Sequence, residues 1–297
     1  MNDSIMKLMN GAYDVHLHAS PCLSNRRATI LQLAAEARDA GMKGFVVKDH
    51  HFSTAPSALM AREVIPEVKT TGGITLCGSV GGINPEAVES TFKLQGKVVW
   101  MFSLESAWMF KQMNSPTFSS AAIYKQIGVK SDRAGYTIFL DSGELKQEAK
   151  EIVSLCKEYG AVLETSHLSP EESIALAKEA KQQKMTKFVV THANHDATPY
   201  TIEEQREFVS LGATIMYCMN SYLSRPGEPS RDPAELGQFI RAIGVDHVVL
   251  GTDFGLYYWP TAIEGIRMTI GTLLDQGFSE DEISRMIKQT PERLYFD

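Results

Sequence analysis

The sequence predicts an α/β fold, a (β/α)₈ barrel of the TIM type with room for local distortion. Three observations carry this expectation. Eight short β-branched runs alternate with amphipathic segments, helix start and stop signals fall between the runs, and histidines gather where the runs end. At 297 residues the chain has a length at which such a barrel is commonly one domain, so 1–297 is read as a single unit.

The runs are Ala12 to His16, Gly44 to Val47, Ile74 to Gly78, Val98 to Leu104, Ala161 to Thr165, Lys187 to Thr191, Ala213 to Cys218 and His247 to Gly251. Their number is that of a closed barrel filled by its own side chains. Between them, Ser169-Pro-Glu-Glu172 supplies an N-cap, a proline in the first helical turn and a glutamate placed for a capping box, and Asp232-Pro-Ala-Glu235 repeats the pattern. Thr201 with Glu204 and Ser279 with Glu282 mark two more starts, while Gly41, Gly160, Gly212, Gly244 and Gly277 stand where helices should stop. The stretch from Trp108 to Leu140, rich in Ser, Met and aromatic residues without a clear period, breaks the rhythm. It reads as a lid-like insertion after the fourth strand, about 108–140; a loop packed over the barrel rim is the plainer alternative.

Composition narrows the function. A hydrophobic share of 43% and a charged share of 22% are those of a folded globular chain. No apolar run approaches the roughly 18 residues of a membrane span, and MNDSIMKLMNGAYD lacks the features of a signal peptide, so no membrane partner and a cytoplasmic location are expected. The formal charge of −7, with no basic cluster, argues against nucleic acid and for a small-molecule substrate. Cys22, Cys77, Cys156 and Cys218 are scattered and read as reduced packing residues. A homo-oligomer is compatible with the fold, and no segment marks its interface.

The chemistry lies in the position of the histidines. YDVHLH ends the first strand with His16 and His18, two residues apart on one strand face and able to turn both imidazoles toward one ion. VVKDHH puts Lys48 and His50 on one face of the second strand and Asp49 on the other. ETSH ends the fifth strand with His167, VVTH the sixth with His192, and GTDFG the eighth with Asp253 and a glycine suited to a tight turn. Active sites of such barrels are built at the carboxyl ends of the strands, so these residues converge on one rim. Nitrogen and carboxylate donors suit zinc, manganese or iron better than calcium. Glu105, after VVWMFSL, would hold one metal or bridge two; its ordinary alternative is to cap the following segment.

These motifs together resemble the amidohydrolase superfamily: HxH after the first strand, a carboxylate on the fourth, single histidines after the fifth and sixth, and GTDFG after the eighth. GVDHVVLGTDFG through TPERLYF is similar to that superfamily's closing stretch, and DVHLHASP with KDHH is similar to the first two motifs of the polymerase and histidinol phosphatase (PHP) domain. The resemblance implies that His16, His18 and Asp253 hold one divalent metal, that His167 and His192 hold a second, and that Glu105 bridges them. His50 would be an added ligand on the PHP-like reading. Many amidohydrolases carry a carbamylated lysine on the fourth strand. This chain has none there and offers Lys48 on the second strand instead.

The expected activity is metal-dependent hydrolysis of an amide, cyclic amide or ester in a small molecule. As in the superfamily it resembles, Asp253 would be the general base, and His192 or His50 would ligate metal or steady the developing oxyanion. The alternatives are a PHP-like phosphoesterase and a metal-dependent decarboxylase. Trp108, Phe110, Tyr217, Tyr222, Tyr257, Tyr258 and Trp259 fall near strand ends, and Lys48, Trp108, Tyr217, Arg225 and Tyr257 are the candidate substrate contacts. His51 and His195 read as supporting or surface groups, and His247 begins a strand at the wrong end for chemistry.

Overall fold

The β-branched runs form eight parallel strands that pair in chain order: β1 (Tyr13–His18), β2 (Gly44–Lys48), β3 (Lys69–Thr75), β4 (Val98–Trp100), β5 (Val162–Glu164), β6 (Phe188–Val190), β7 (Thr214–Cys218) and β8 (Val248–Gly251). The structure is a computed structural model that describes residues 2–115, 118, 121, 125, 134–223 and 231–297. A parallel bridge between Leu17 and Phe254 brings the last strand back to the first. There the His18 amide donates to the Phe254 carbonyl at 2.8 Å and the Asp253 amide to the His16 carbonyl at 2.7 Å. The result is a (β/α)₈ barrel, as expected.

Around it lie α1 (Asn2–Met9), α2 (Ile30–Asp39), α3 (Ala55–Val64), α4 (Pro85–Lys93), α5 (Ala107–Met113), α6 (Gln147–Glu158), α7 (Pro170–Gln182), α8 (Ile202–Ser210), α9 (Ala234–Ile243), α10 (Ala262–Asp275) and α11 (Glu280–Ser284). Ser169, Thr201 and Ser279 each close a full capping box, with Glu172, Glu204 and Glu282 respectively. Asp232 acts one residue earlier than a cap: its carboxylate accepts from the Ala234 amide at 2.9 Å. No helix among the described residues is long and apolar enough to cross a membrane.

The third strand lies earlier than expected, at Lys69–Thr75 rather than Ile74 to Gly78. Its KTTGGIT sequence gives a weak strand signal because of the adjacent glycines, yet a glycine at position 73 is what lets the sheet close there. A Cβ on Gly73 would lie 2.0 Å from the Val98 carbonyl oxygen of β4.

Two apolar layers form the core. Phe45, Val47 and Ile215 face the helices and pack outside the sheet with Ile270 of α10, while Val46, Val98, Trp100, Val162, Val189, Met216 and Val249 fill the barrel. The C-terminal π-helical turn Glu292–Phe296 stoppers the amino-terminal end, inserting Leu294 and Tyr295 into the interior cluster. Glu292 ties this plug to the strand starts by accepting from Lys43 at 2.7 Å and Lys69 at 2.6 Å, and from the Tyr13 hydroxyl. With that end plugged, polar groups gather at the other.

Candidate metal centre

A bulge in β1 directs the paired histidines inward. Asp14 faces Phe45 and Leu17 faces Val47, so three steps of β1 match two of β2. The extra residue shifts the inward face by one position. Tyr13 and Val15 therefore fill the barrel below, and His16 and His18 still point into its mouth above.

The donor atoms of His16, His18 and Asp253 all lie within 4.8 Å of one another. His18 Nε2 is 3.0 Å from Asp253 Oδ1, and His16 Nε2 is 3.5 Å from the same oxygen. The other carboxylate oxygen of Asp253 accepts from Asn220 Nδ2 at 2.7 Å. His16 is fully buried, and neither of its ring nitrogens has a hydrogen-bond partner among the described residues. Leaving buried polar atoms unpaired is costly, and an ion shared with His18 and Asp253 would satisfy one of the two nitrogens.

A second pair of imidazoles faces the first. His167 Nε2 and His192 Nε2 stand 3.1 Å apart, and the His192 ring centroid is 5.8 Å from that of His16. Thr198 Oγ1, 3.2 Å from His192 Nδ1, fixes the ring from behind. His50 stacks on His18 with centroids 4.7 Å apart and places Nδ1 3.2 Å from Ser103 Oγ. Lys48 is buried beneath, its Nζ 5.7 Å from the centre of the Trp100 ring.

The backbone is strained where these groups are mounted. Asp253 and His192 occupy the left-handed region with φ of 54° and 33°, which non-glycine residues rarely adopt. Gly255 lets the β8 loop approach β1: a Cβ there would come within 2.5 Å of His18 Cβ and its carbonyl oxygen.

Electrostatics keep the buried imidazoles uncharged and the carboxylate ionised. Burial, with the nearby Arg26 guanidinium, pulls His18 down to about 3. Burial, the largest cause in each case, likewise lowers His50, His167 and His192 well below 6.5, so these imidazoles are neutral at pH 7. Burial opposes ionisation of Asp253, but the hydrogen bond from His18 acts against it, and the carboxylate lies well below its usual range. Burial also lowers Lys48 and raises Asp14 to about 7. Asp14 braces the site, accepting from the His16 amide at 3.0 Å and from the Thr252 amide at 3.0 Å and hydroxyl at 2.5 Å.

The remaining expected residues are distributed as follows. Glu105 Oε2 accepts from the Gly78 amide at 2.6 Å, which places its carboxylate at the turn after β3. Trp108, on α5, is half-buried and donates from Nε1 to the Ala197 carbonyl at 2.9 Å. Tyr257 is 53% exposed on the β8 loop. Tyr217 is corrected: it points out of the barrel, where its hydroxyl donates to Gln205 Oε1 at 2.5 Å and its ring stacks on Phe239. Strand alternation explains this, since Met216 and Cys218 take the inward positions of β7. Arg225 and much of the 108–140 stretch lie outside the described residues.

Glu164, Asn220 and Arg26 were not anticipated. Glu164 is fully buried, accepts from Thr191 Oγ1 at 3.0 Å and Tyr295 at 2.9 Å, and lies 3.7 Å from His16 Nδ1. Its inward register on β5, the same parity as Val162, was the available signal.

A model of the family DUF6282, described as a family of unknown function, matches residues 11–216. No curated protein matches the sequence. Among solved structures, an amidohydrolase from Pseudomonas aeruginosa aligns with a TM-score of 0.65 at 13% identity, over 99% of this chain and 97% of its own. The probable dipeptidase PvdM from Pseudomonas aeruginosa aligns with a TM-score of 0.63 at 11% identity, over 99% and 98%. An organophosphorus hydrolase from Deinococcus radiodurans aligns at 0.58 and 12% identity, over 98% and 93%. The likeness is one of fold, and it agrees with the expected resemblance to amidohydrolase barrels.

Proposed function

The chain belongs to DUF6282, a family of unknown function, and from that premise we propose that it is a metal-dependent hydrolase acting on an amide, cyclic amide or ester of a small molecule. The observation that carries this reading is His16: fully buried, without a hydrogen bond at either nitrogen among the described residues, and grouped with His18 and Asp253 within 4.8 Å. Its fold neighbours include proteins named as an amidohydrolase, a dipeptidase and an organophosphorus hydrolase, which supports hydrolysis without choosing the bond.

His16, His18 and Asp253 would hold one ion, and His167 with His192 would hold a second; zinc, manganese and iron fit these donors. When bound, a divalent ion lowers the pKa of its water toward neutrality and polarises a carbonyl or phosphoryl oxygen. Asp253 is ionised and held by Asn220 and His18, so it can take the proton of an attacking water and return it to the leaving group. His50, beside His18, can donate to a developing oxyanion.

The test is metal content per chain after purification without chelator, for the native protein and a His16→Ala/His18→Ala double variant. About two equivalents in the native protein, falling in the variant, support the binuclear reading. About one equivalent shifts it to a mononuclear hydrolase or decarboxylase, and none after reconstitution overturns it.

A further inference from the structure

Resting on the hydrolase reading for the chemistry, we infer that Arg26 is the group with which this site recognises an anionic substituent, a carboxylate or a phosphate, on its substrate. Arg26 lies in the loop after β1 and is half-buried at the barrel mouth. Its position is set by backbone: Arg26 forms an antiparallel bridge with Leu256, and the Arg27 amide donates to the Gly255 carbonyl at 3.0 Å. The loop that carries the guanidinium is thus stapled to the loop that carries Asp253.

The side chain lacks the partner that a half-buried arginine ordinarily has. Its Nη2 is 3.2 Å from His18 Nδ1 and its Nε donates to Cys22 Sγ at 3.1 Å. No carboxylate among the described residues forms an ion pair with it. A planar fork of five donors is satisfied by a neutral ring nitrogen and a weakly accepting sulfur, although its geometry matches an oxyanion.

The contact with His18 also conflicts with metal ligation. A guanidinium only donates, so His18 Nδ1 accepts and its Nε2 carries the proton shared with Asp253. A neutral His18 that offers Nε2 to an ion carries its proton on Nδ1, facing the guanidinium as a second donor. Arg26 then has to release His18, which frees its fork at the mouth of the site. Tyr257, 53% exposed, directly follows Leu256, whose backbone is bridged to that of Arg26.

The experiment is calorimetric binding of succinate, inorganic phosphate and the neutral diamide succinamide to the native protein, Arg26→Gln and Arg26→Lys, each with its metal content measured. The native protein should bind at least one anion and not succinamide. Arg26→Gln should raise the Kd of that anion at least about tenfold, and Arg26→Lys should fall between, because it keeps the charge without the fork. Preference for succinate or phosphate identifies the substituent. Equal affinity in native protein and Arg26→Gln, as direct capture by metal alone would give, overturns the inference; so does native protein that is full of metal yet binds neither anion. Loss of metal from Arg26→Gln would make Arg26 a positioning residue for His18 and also overturn it. Native protein without metal that still holds an anion through Arg26 would instead remove the hydrolase reading and keep the anion site.

Discussion

Asp253 carries the most demands of any residue in the site. It sits in a strained backbone conformation with φ of 54°, touches His18 through one oxygen and Asn220 through the other, and stays ionised despite burial. An Asp253→Asn variant keeps the shape and one ligating oxygen but cannot accept the proton. It should retain most of the metal while losing at least about 100-fold in turnover of whichever ester, lactone or phosphoester the native protein hydrolyses. Normal turnover by that variant would remove Asp253 from the role of base. That His16, His18, His50, His167, His192 and Asp253 meet could be read from strand-end positions. That Tyr217 faces away could not, because its parity depends on where β7 begins.

At the scale of elements, β1 and β3 carry most of the adaptation. The β1 bulge turns the His16/His18 pair inward, and a bulge leaves no signature in a six-residue strand whose every side chain is buried. In β3, Gly73 lets the backbone of β4 approach so closely that a methyl group would meet the Val98 oxygen at 2.0 Å. Gly73→Ala should therefore weaken the β3–β4 pairing and cost about 3 kcal/mol, at the upper end for single substitutions. Urea unfolding measures this: a lower midpoint at unchanged slope is expected, and an unaltered midpoint would mean that the strands separate freely there. The capping boxes at Ser169, Thr201 and Ser279 were legible in advance because each is a contact between residues three apart.

Over the whole molecule, the neutral histidines couple stability to pH. His18, His50, His167 and His192 have folded-state pKa values below 6.5, so the unfolded chain binds more protons as the pH falls through that value. The metal-free protein should accordingly lose stability from about pH 6.5 downward, with the contribution of His18 spent only near pH 3. Asp14, raised to about 7, acts with the opposite sign, because its ionisation disfavours the folded state between about pH 3.8 and 7. Four groups outweigh one, so the melting temperature should fall on acidification across this window. A flat or rising profile would show that the cluster is protonated in the folded state.

The sequence alone determined the alternation of strands and helices, the helix termini, and the rim on which histidines and carboxylate assemble. These are local properties: periodicity, capping and the rule that chemistry sits at the carboxyl ends of barrel strands. Only the tertiary structure decided which side chains touch. It directed Glu105 to the Gly78 amide, placed Glu164 beside His16 and left Arg26 against His18, with no ion-paired carboxylate among the described residues. Such outcomes depend on a one-residue bulge, on strand parity and on loops paired across more than 200 positions, as Arg27 is with Gly255. None of these has a local energetic signature, because each is a compromise among contacts that exist only once the barrel has closed.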